Sequence, residues 1–128
     1  MESEKQNTGD VYSATCPSRI ALDLVGSKWA LLIIPLLAQR PFRNNELLRQ
    51  VEGISQKMLT QTLRDLERNG LVNRIDHKTV PPHVEYYLTE LGRSLSNTLE
   101  VVDRWAETNF SKLEDARNIF DRLEKAND

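Results

Sequence analysis

The sequence holds one cysteine in 128 residues, Cys16. A lone cysteine excludes an intramolecular disulfide and a cysteine-based zinc motif. There are two histidines, His77 and His83, six residues apart across a proline-containing stretch. No further ligand types stand at helical spacing beside them, so neither a metal site nor a cofactor is expected. The chain has no glycine-rich phosphate loop and no Gly-x-Ser-x-Gly, and one cysteine with two ill-placed histidines makes no nucleophile–base set. An enzyme is therefore not expected. Long apolar runs are missing as well. The longest, residues 30–38, spans nine residues and contains Pro35, against the roughly 20 that a bilayer span needs. The first ten residues are polar and carry acids, unlike a secretion signal. The expectation is a cytoplasmic protein with no membrane partner.

A large charge of one sign is lacking too. The formal net charge of −2 does not advertise nucleic-acid binding, but its distribution says more. Residues 39–78 carry eight Lys or Arg against five Asp or Glu, a net +3, whereas residues 89–128 carry six against nine, a net −3. A basic middle and an acidic C-terminal part point to different tasks for the two regions. Hydrophobic residues make up 39% and charged residues 28%. That is the balance of a globular chain, long enough for one core and cramped for two.

What is present is clear punctuation. Residues 1–15 read as a flexible, polar N-terminal tail. Pro17 suits the first position of a helix, where its missing N–H is not needed, and Gly26 stops that helix. Ser27 caps a second helix over residues 28–39, which Pro35 is expected to kink or shorten. After Pro41 comes a short helix over residues 43–51, with Leu47 and Leu48 inward. Gly53 makes a turn, Ser55 caps a helix over residues 56–69, and Leu59, Leu63 and Leu66 form its buried stripe. The period then becomes alternating: a strand over 71–77, a loop with Pro81 and Pro82, and a returning strand over 84–88. A helix over 90–110 follows, with Leu91, Leu95, Leu99, Val102 and Trp105 or Ala106 on one stripe. A separate helix begins near Leu113. Trp29 and Trp105 are expected in the core. The fold class is mainly α with a small β-hairpin, a winged helix-turn-helix (α+β). Residues 16–110 form its domain and residues 111–128 a C-terminal helix.

The helix over 56–69 carries the functional reading. At about 100° per residue, the face opposite its leucines shows Lys57, Thr60, Gln61, Arg64 and Arg68. Such residues bond both phosphates and base edges: Gln pairs bidentately with adenine, Arg with guanine. The N-terminal part of a recognition helix reaches the bases. Ser55, Gln56, Lys57, Thr60 and Gln61 are thus candidates for base or near-base contact, and Arg64 for either base or phosphate. Arg43, at the start of the preceding helix, is a candidate phosphate clamp. Arg74, Lys78 and His83 flank or lie on the wing, either as contacts to the DNA backbone or as the polar surface of an ordinary hairpin. The expected partner is double-stranded DNA. The competing class is a winged helix that binds protein without DNA, which would not need Lys57, Gln61, Arg64 and Arg68 on one face. Tyr12, Tyr86 and Tyr87 are candidates to line an effector pocket; hairpin packing explains Tyr86 and Tyr87 equally well.

Cys16-Pro17 and Gly26-Ser27-Lys28-Trp29 resemble the opening of HxlR-type regulators. So do Gly53-Ile54-Ser55-Gln56-Lys57-Met58-Leu59-Thr60, Leu63-Arg64-Asp65-Leu66-Glu67, Gly70-Leu71-Val72, Val80-Pro81-Pro82-His83-Val84-Glu85-Tyr86 and Leu88-Thr89-Glu90-Leu91-Gly92. The set covers about residues 16–105 in order. The resemblance implies a winged-helix homodimer joined through N- and C-terminal helices, bound to pseudo-palindromic sites near promoters. Asn44-Asn45 departs from it, standing where an aromatic or small residue is more usual.

Ile20 and Leu24 on the first helix, with Val101, Trp105, Phe110, Ile119 and Phe120 further on, are candidates for the dimer contact. The later group forms more apolar stripe than a small domain needs, which a twofold partner would cover; the alternative is that the last helix folds back on its own domain. Cys16 falls at or near a helix N-cap, where the helix dipole favours thiolate. Similarity to redox- and electrophile-sensing regulators implies a small oxidant or electrophile as a further partner. The alternative is an inert cysteine packed at the dimer contact. Repression by occluding a promoter is the outcome expected for so small a protein.

Overall fold

In the computed structural model, residues 8–127 are described. Residues 1–7 of the expected tail, and residue 128, lie outside them. The elements in chain order are α1 (Pro17–Val25), α2 (Lys28–Gln39), β1 (Phe42–Arg43), α3 (Asn44–Gln50), α4 (Gln56–Arg68), β2 (Val72–Asp76), β3 (Val84–Leu88) and α5 (Glu90–Ala126). No single helix among the described residues is long and apolar enough to cross a membrane. Contacts divide the chain into two units, one ending at Ser96 and one comprising Asn97–Asp128.

The first unit is built around α2. Its Ala30, Ile33, Ile34 and Leu37 are at most 1% exposed, and Leu47 of α3, Leu59, Leu63 and Leu66 of α4, and Val72 of β2 are buried with them. Pro35 lies inside α2 without ending it. The lost backbone hydrogen bond costs about 3 kcal/mol, which the burial of four apolar side chains, roughly 1.5–3 kcal/mol for each large one, offsets. The three strands form an antiparallel sheet in the order β1-β3-β2. Val72 faces Leu88 and Asp76 faces Val84 across the hairpin, while Phe42 and Arg43 pair with Tyr86 and Glu85. The sequence reading expected only the hairpin. A two-residue strand is too short to show a period, and buried Phe42 is placed by its pairing. With α3, the Gly53 turn (φ +91°) and α4, the sheet completes the expected winged helix-turn-helix.

Thr89 joins two parts of this unit. Its hydroxyl donates to the Gly70 carbonyl just past α4 (2.6 Å) and accepts the Gly92 N–H at the start of α5 (3.0 Å). The Thr89 N–H donates to the Leu71 carbonyl (3.1 Å). The approach is so close that a Cβ on Gly92 would run into that same Leu71 oxygen.

The second unit is helix alone. α5 continues without interruption from Glu90 to Ala126, so the expected break between residues 110 and 113 does not occur; Ser111 and Lys112 hold neither the proline nor the glycine that would stop a helix. Trp105, expected in the core, is 57% exposed, and Leu91 and Val102 of the expected buried stripe are also exposed. Trp29 is half-buried.

Candidate nucleic-acid interface

Helix α4 starts where the Ser55 hydroxyl accepts the Met58 N–H (3.1 Å). With Leu59, Thr62, Leu63 and Leu66 turned inward, Gln56, Lys57, Thr60, Gln61, Arg64 and Arg68 are all exposed on the other side, as is Ser55. Among the described residues, Lys57, Arg64 and Arg68 form no ion pair. Gln61 donates to the Asp65 carboxylate (3.0 Å). Asp65 and Glu67 share the C-terminal half of α4 with Arg64 and Arg68, so the N-terminal half is free of acids.

One polar group at this N-terminus was missed in the sequence. Asn44, the first residue of α3, donates through Nδ2 to Gln56 Oε1 (2.8 Å). Gln56 Nε2 donates in return to Asn44 Oδ1 (3.1 Å) and also to Thr60 Oγ1 (3.0 Å). Both amide protons of Gln56 are therefore engaged, and a bidentate adenine contact would have to break one of these bonds. The only sequence signal was the unusual Asn44-Asn45 pair; the bonding itself depends on how α3 meets α4.

Arg43 is the N-cap of α3, and its N–H donates to Glu46 Oε1 (2.9 Å). This hydrogen bond, and then Arg40 at 3.2 Å, hold the Glu46 carboxyl below its ordinary pKa. The Arg43 guanidinium is not free. Its Nε and Nη2 each lie 2.9 Å from a ring nitrogen of His83, forty residues on. On the hairpin, Arg74 and Lys78 are exposed and His83 is half-buried. Lys78 takes a left-handed conformation (φ 52°), its N–H bonded to Asp76 Oδ1 (2.8 Å). Val80, at the wing tip, is 99% exposed. Beside His83, His77 Nε2 contacts Glu85 Oε1 at 2.8 Å. Glu85, two residues past His83, shares its side of the strand, and the β2–β3 register brings His77 to the same place; helical spacing, the pattern looked for in the sequence, does not show this set.

Cys16 caps α1 by position, in extended backbone and without a side-chain cap bond. Its Sγ lies 3.1 Å from Ser18 Oγ and accepts the Asp10 N–H at 3.4 Å. The Ser18 hydroxyl first, and the Asp10 N–H second, hold the thiol below its ordinary pKa. Of the dimer candidates, Ile20, Val101, Trp105, Phe110, Ile119 and Phe120 are each more than half exposed, and Leu24 is half-buried.

The chain is similar to the HTH-type transcriptional regulator YtfH of Escherichia coli, with 40% identity over 111 residues, 87% of this chain and 88% of that relative. The solved structure of ytfH from Salmonella typhimurium aligns with a TM-score of 0.81 at 39% identity, covering 87% of this chain and 99% of that one. The redox regulator HypR in its reduced form aligns with a TM-score of 0.72 at 39% identity, over 77% and 98% respectively. The model of the HxlR-like helix-turn-helix family matches residues 24–114. On this match and these identities, the chain belongs to the HxlR-like helix-turn-helix family.

Proposed function

We propose that this protein is a transcription regulator that binds double-stranded DNA as a homodimer in the cytoplasm, with α4 in the major groove and the β2–β3 hairpin against the backbone. The observation that carries this reading is the exposed face of Gln56, Lys57, Thr60, Gln61, Arg64 and Arg68 on a helix whose other side is locked into the core. Base and near-base contacts come from the acid-free N-terminal half, from Ser55 to Gln61, where the Lys57 ammonium also meets phosphate, and Arg64 and Arg68 lie nearer the phosphates. Arg74 and Lys78 follow the backbone beside the wing, and Arg43 joins them once released from His83. Binding over a promoter represses by occlusion.

The homodimer is supported by the second unit. A single helix has no core of its own, and isolated helices are marginal in water. At about 100° per residue, Val102, Trp105, Ala106, Leu113, Ala116, Phe120 and Leu123 fall within roughly one third of its circumference, flanked by Val101, Phe110 and Ile119. A second copy supplies the matching stripe; on α1, half-exposed Ile20 and half-buried Leu24 are separate candidates for dimer contact. Twofold symmetry then matches a pseudo-palindromic site with half-sites about one DNA turn apart.

The test is an anisotropy titration on DNA from upstream of the gene, against random DNA, with the wild type and with Lys57→Glu plus Arg64→Glu. Specific binding that the double variant abolishes supports the reading. A variant that binds as the wild type does would instead favour a protein-binding module.

Cys16 is proposed as a redox or electrophile sensor within this role. The Ser18 and Asp10 contacts favour the reactive thiolate, and the similar HypR is a redox regulator. With one cysteine, a disulfide joins two subunits or captures a small thiol. Diamide or a quinone is expected to change DNA affinity in the wild type and not in Cys16→Ser; equal responses would reject the role.

A further inference from the structure

The wing holds a second cluster of side chains, in which His83, a wing candidate for DNA contact, meets His77 and Glu85. His77 follows β2, His83 precedes β3, and the His77 N–H donates to the His83 carbonyl (2.9 Å), so the two stand opposite each other at the open end of the hairpin. Glu85 is two residues beyond His83, on the same face of β3. His77 Nε2 and His83 Nε2 lie 2.8 and 3.4 Å from the same Glu85 oxygen, and the two imidazole centroids are 4.4 Å apart. One ligand atom from each residue falls within 4.8 Å of the others.

We propose that His77, His83 and Glu85 bind a divalent transition-metal cation of the zinc class. Two imidazoles and a carboxylate are a donor set such ions favour over Mg²⁺ or Ca²⁺, and three protein ligands with an open fourth position are a common zinc arrangement. Tetrahedral bonds of about 2.0–2.2 Å place ligand atoms about 3.4 Å apart. The His83–Glu85 separation already matches. The His77–Glu85 pair opens by about 0.6 Å, within the reach of two partly exposed side chains. Both histidines come from the ends of one hairpin loop, so the ion closes that loop with a second clasp beside its backbone hydrogen bond.

Binding has a defined competitor. Arg43 now sits against both ring nitrogens of His83, and a guanidinium, which has no acceptor, cannot remain against a nitrogen that ligates a cation. Metal therefore displaces Arg43 from the wing. The release rests on this geometry alone; only its consequence for DNA rests on the reading above.

The test is calorimetric titration of the untagged full-length chain with ZnCl₂, in a Cys16→Ser background so that no thiolate competes. One ion per chain is expected, with affinity at least tenfold weaker in His83→Gln and in Glu85→Gln, and no binding of MgCl₂. Imidazole ¹⁵N resonances of both histidines should shift on titration, a response that a merely structural role would not give. No saturable binding below about 1 mM, or binding unaltered when both histidines are replaced by Gln, overturns the site. Arg43→Gln should bind the ion several-fold more tightly; unchanged affinity in that variant overturns the displacement. No arm involves DNA, so a failure here leaves the regulator reading standing, and a failure there leaves the site.

Discussion

Neutralising Lys57 and Arg64 together gives the most quantitative test of which surface meets DNA. Both are exposed on α4, so Lys57→Gln with Arg64→Gln should leave the fold intact by circular dichroism. Setting aside Arg43, which His83 occupies, each chain offers Lys57, Arg64, Arg68, Arg74 and Lys78, and a twofold dimer offers twice that set. Ten phosphate contacts set a ceiling of about −9 for the slope of log K against log salt. The double variant removes four contacts and should make the slope shallower by about 3.6. Raising salt from 50 to 200 mM would then cost the variant about 10²-fold less affinity than it costs the wild type. The assay is fluorescence anisotropy on operator and random DNA over that range. If the slope holds while operator affinity alone falls, the two side chains read bases. If neither slope nor affinity changes, α4 is not the DNA-facing helix.

Three further outcomes follow from the geometry. Gly92→Ala should lower unfolding free energy by about 1–3 kcal/mol in urea titrations, because the methyl meets the Leu71 carbonyl; unchanged stability would show that α5 can shift away freely. Phe120→Asp should move the protein from dimer to monomer in sedimentation at micromolar concentration, by at least about 100-fold in the dissociation constant given roughly 1.5–3 kcal/mol for each apolar side chain covered on each of two subunits; an unchanged dimer would place the contact elsewhere. Alkylation of Cys16 followed against pH should turn on below the range of a free thiol, since hydrogen bonds to the thiolate favour the charged form. In Ser18→Ala the profile should move to higher pH, and an unmoved profile would remove Ser18 as the cause.

How much could be read in advance depended on whether a feature was local. The span of α4 was legible because the Ser55 cap, the Leu59–Leu63–Leu66 stripe and Gly70 all lie within it or next to its ends, and its exposed face followed from periodicity alone. The hairpin was legible from its change of period. Features made by two distant segments were not. β1 exists because Phe42 meets Tyr86; Asn44 matters because α3 brings it to Gln56; Arg43 is occupied because His83 returns beside it. Pro35 does not shorten α2, because the cost of a missing hydrogen bond is visible in sequence, while the burial that offsets it is a property of the assembled core. The break expected near residue 111 came from treating two apolar patterns as two helices when no residue between them could end the first.

The hydroxyl of Thr89 has a mechanical meaning. One oxygen holds Gly70, just past the end of α4, and the first turn of α5 at the same time, so the two cannot be displaced independently without sacrificing a hydrogen bond. A tilt at the start of α5 that kept both bonds would have to carry the residue after α4 with it, and by thermodynamic reciprocity the reverse would hold. Holding α4 in place on a ligand would resist the same tilt, and a regulator already seated on its operator would be a less willing responder than one free in solution.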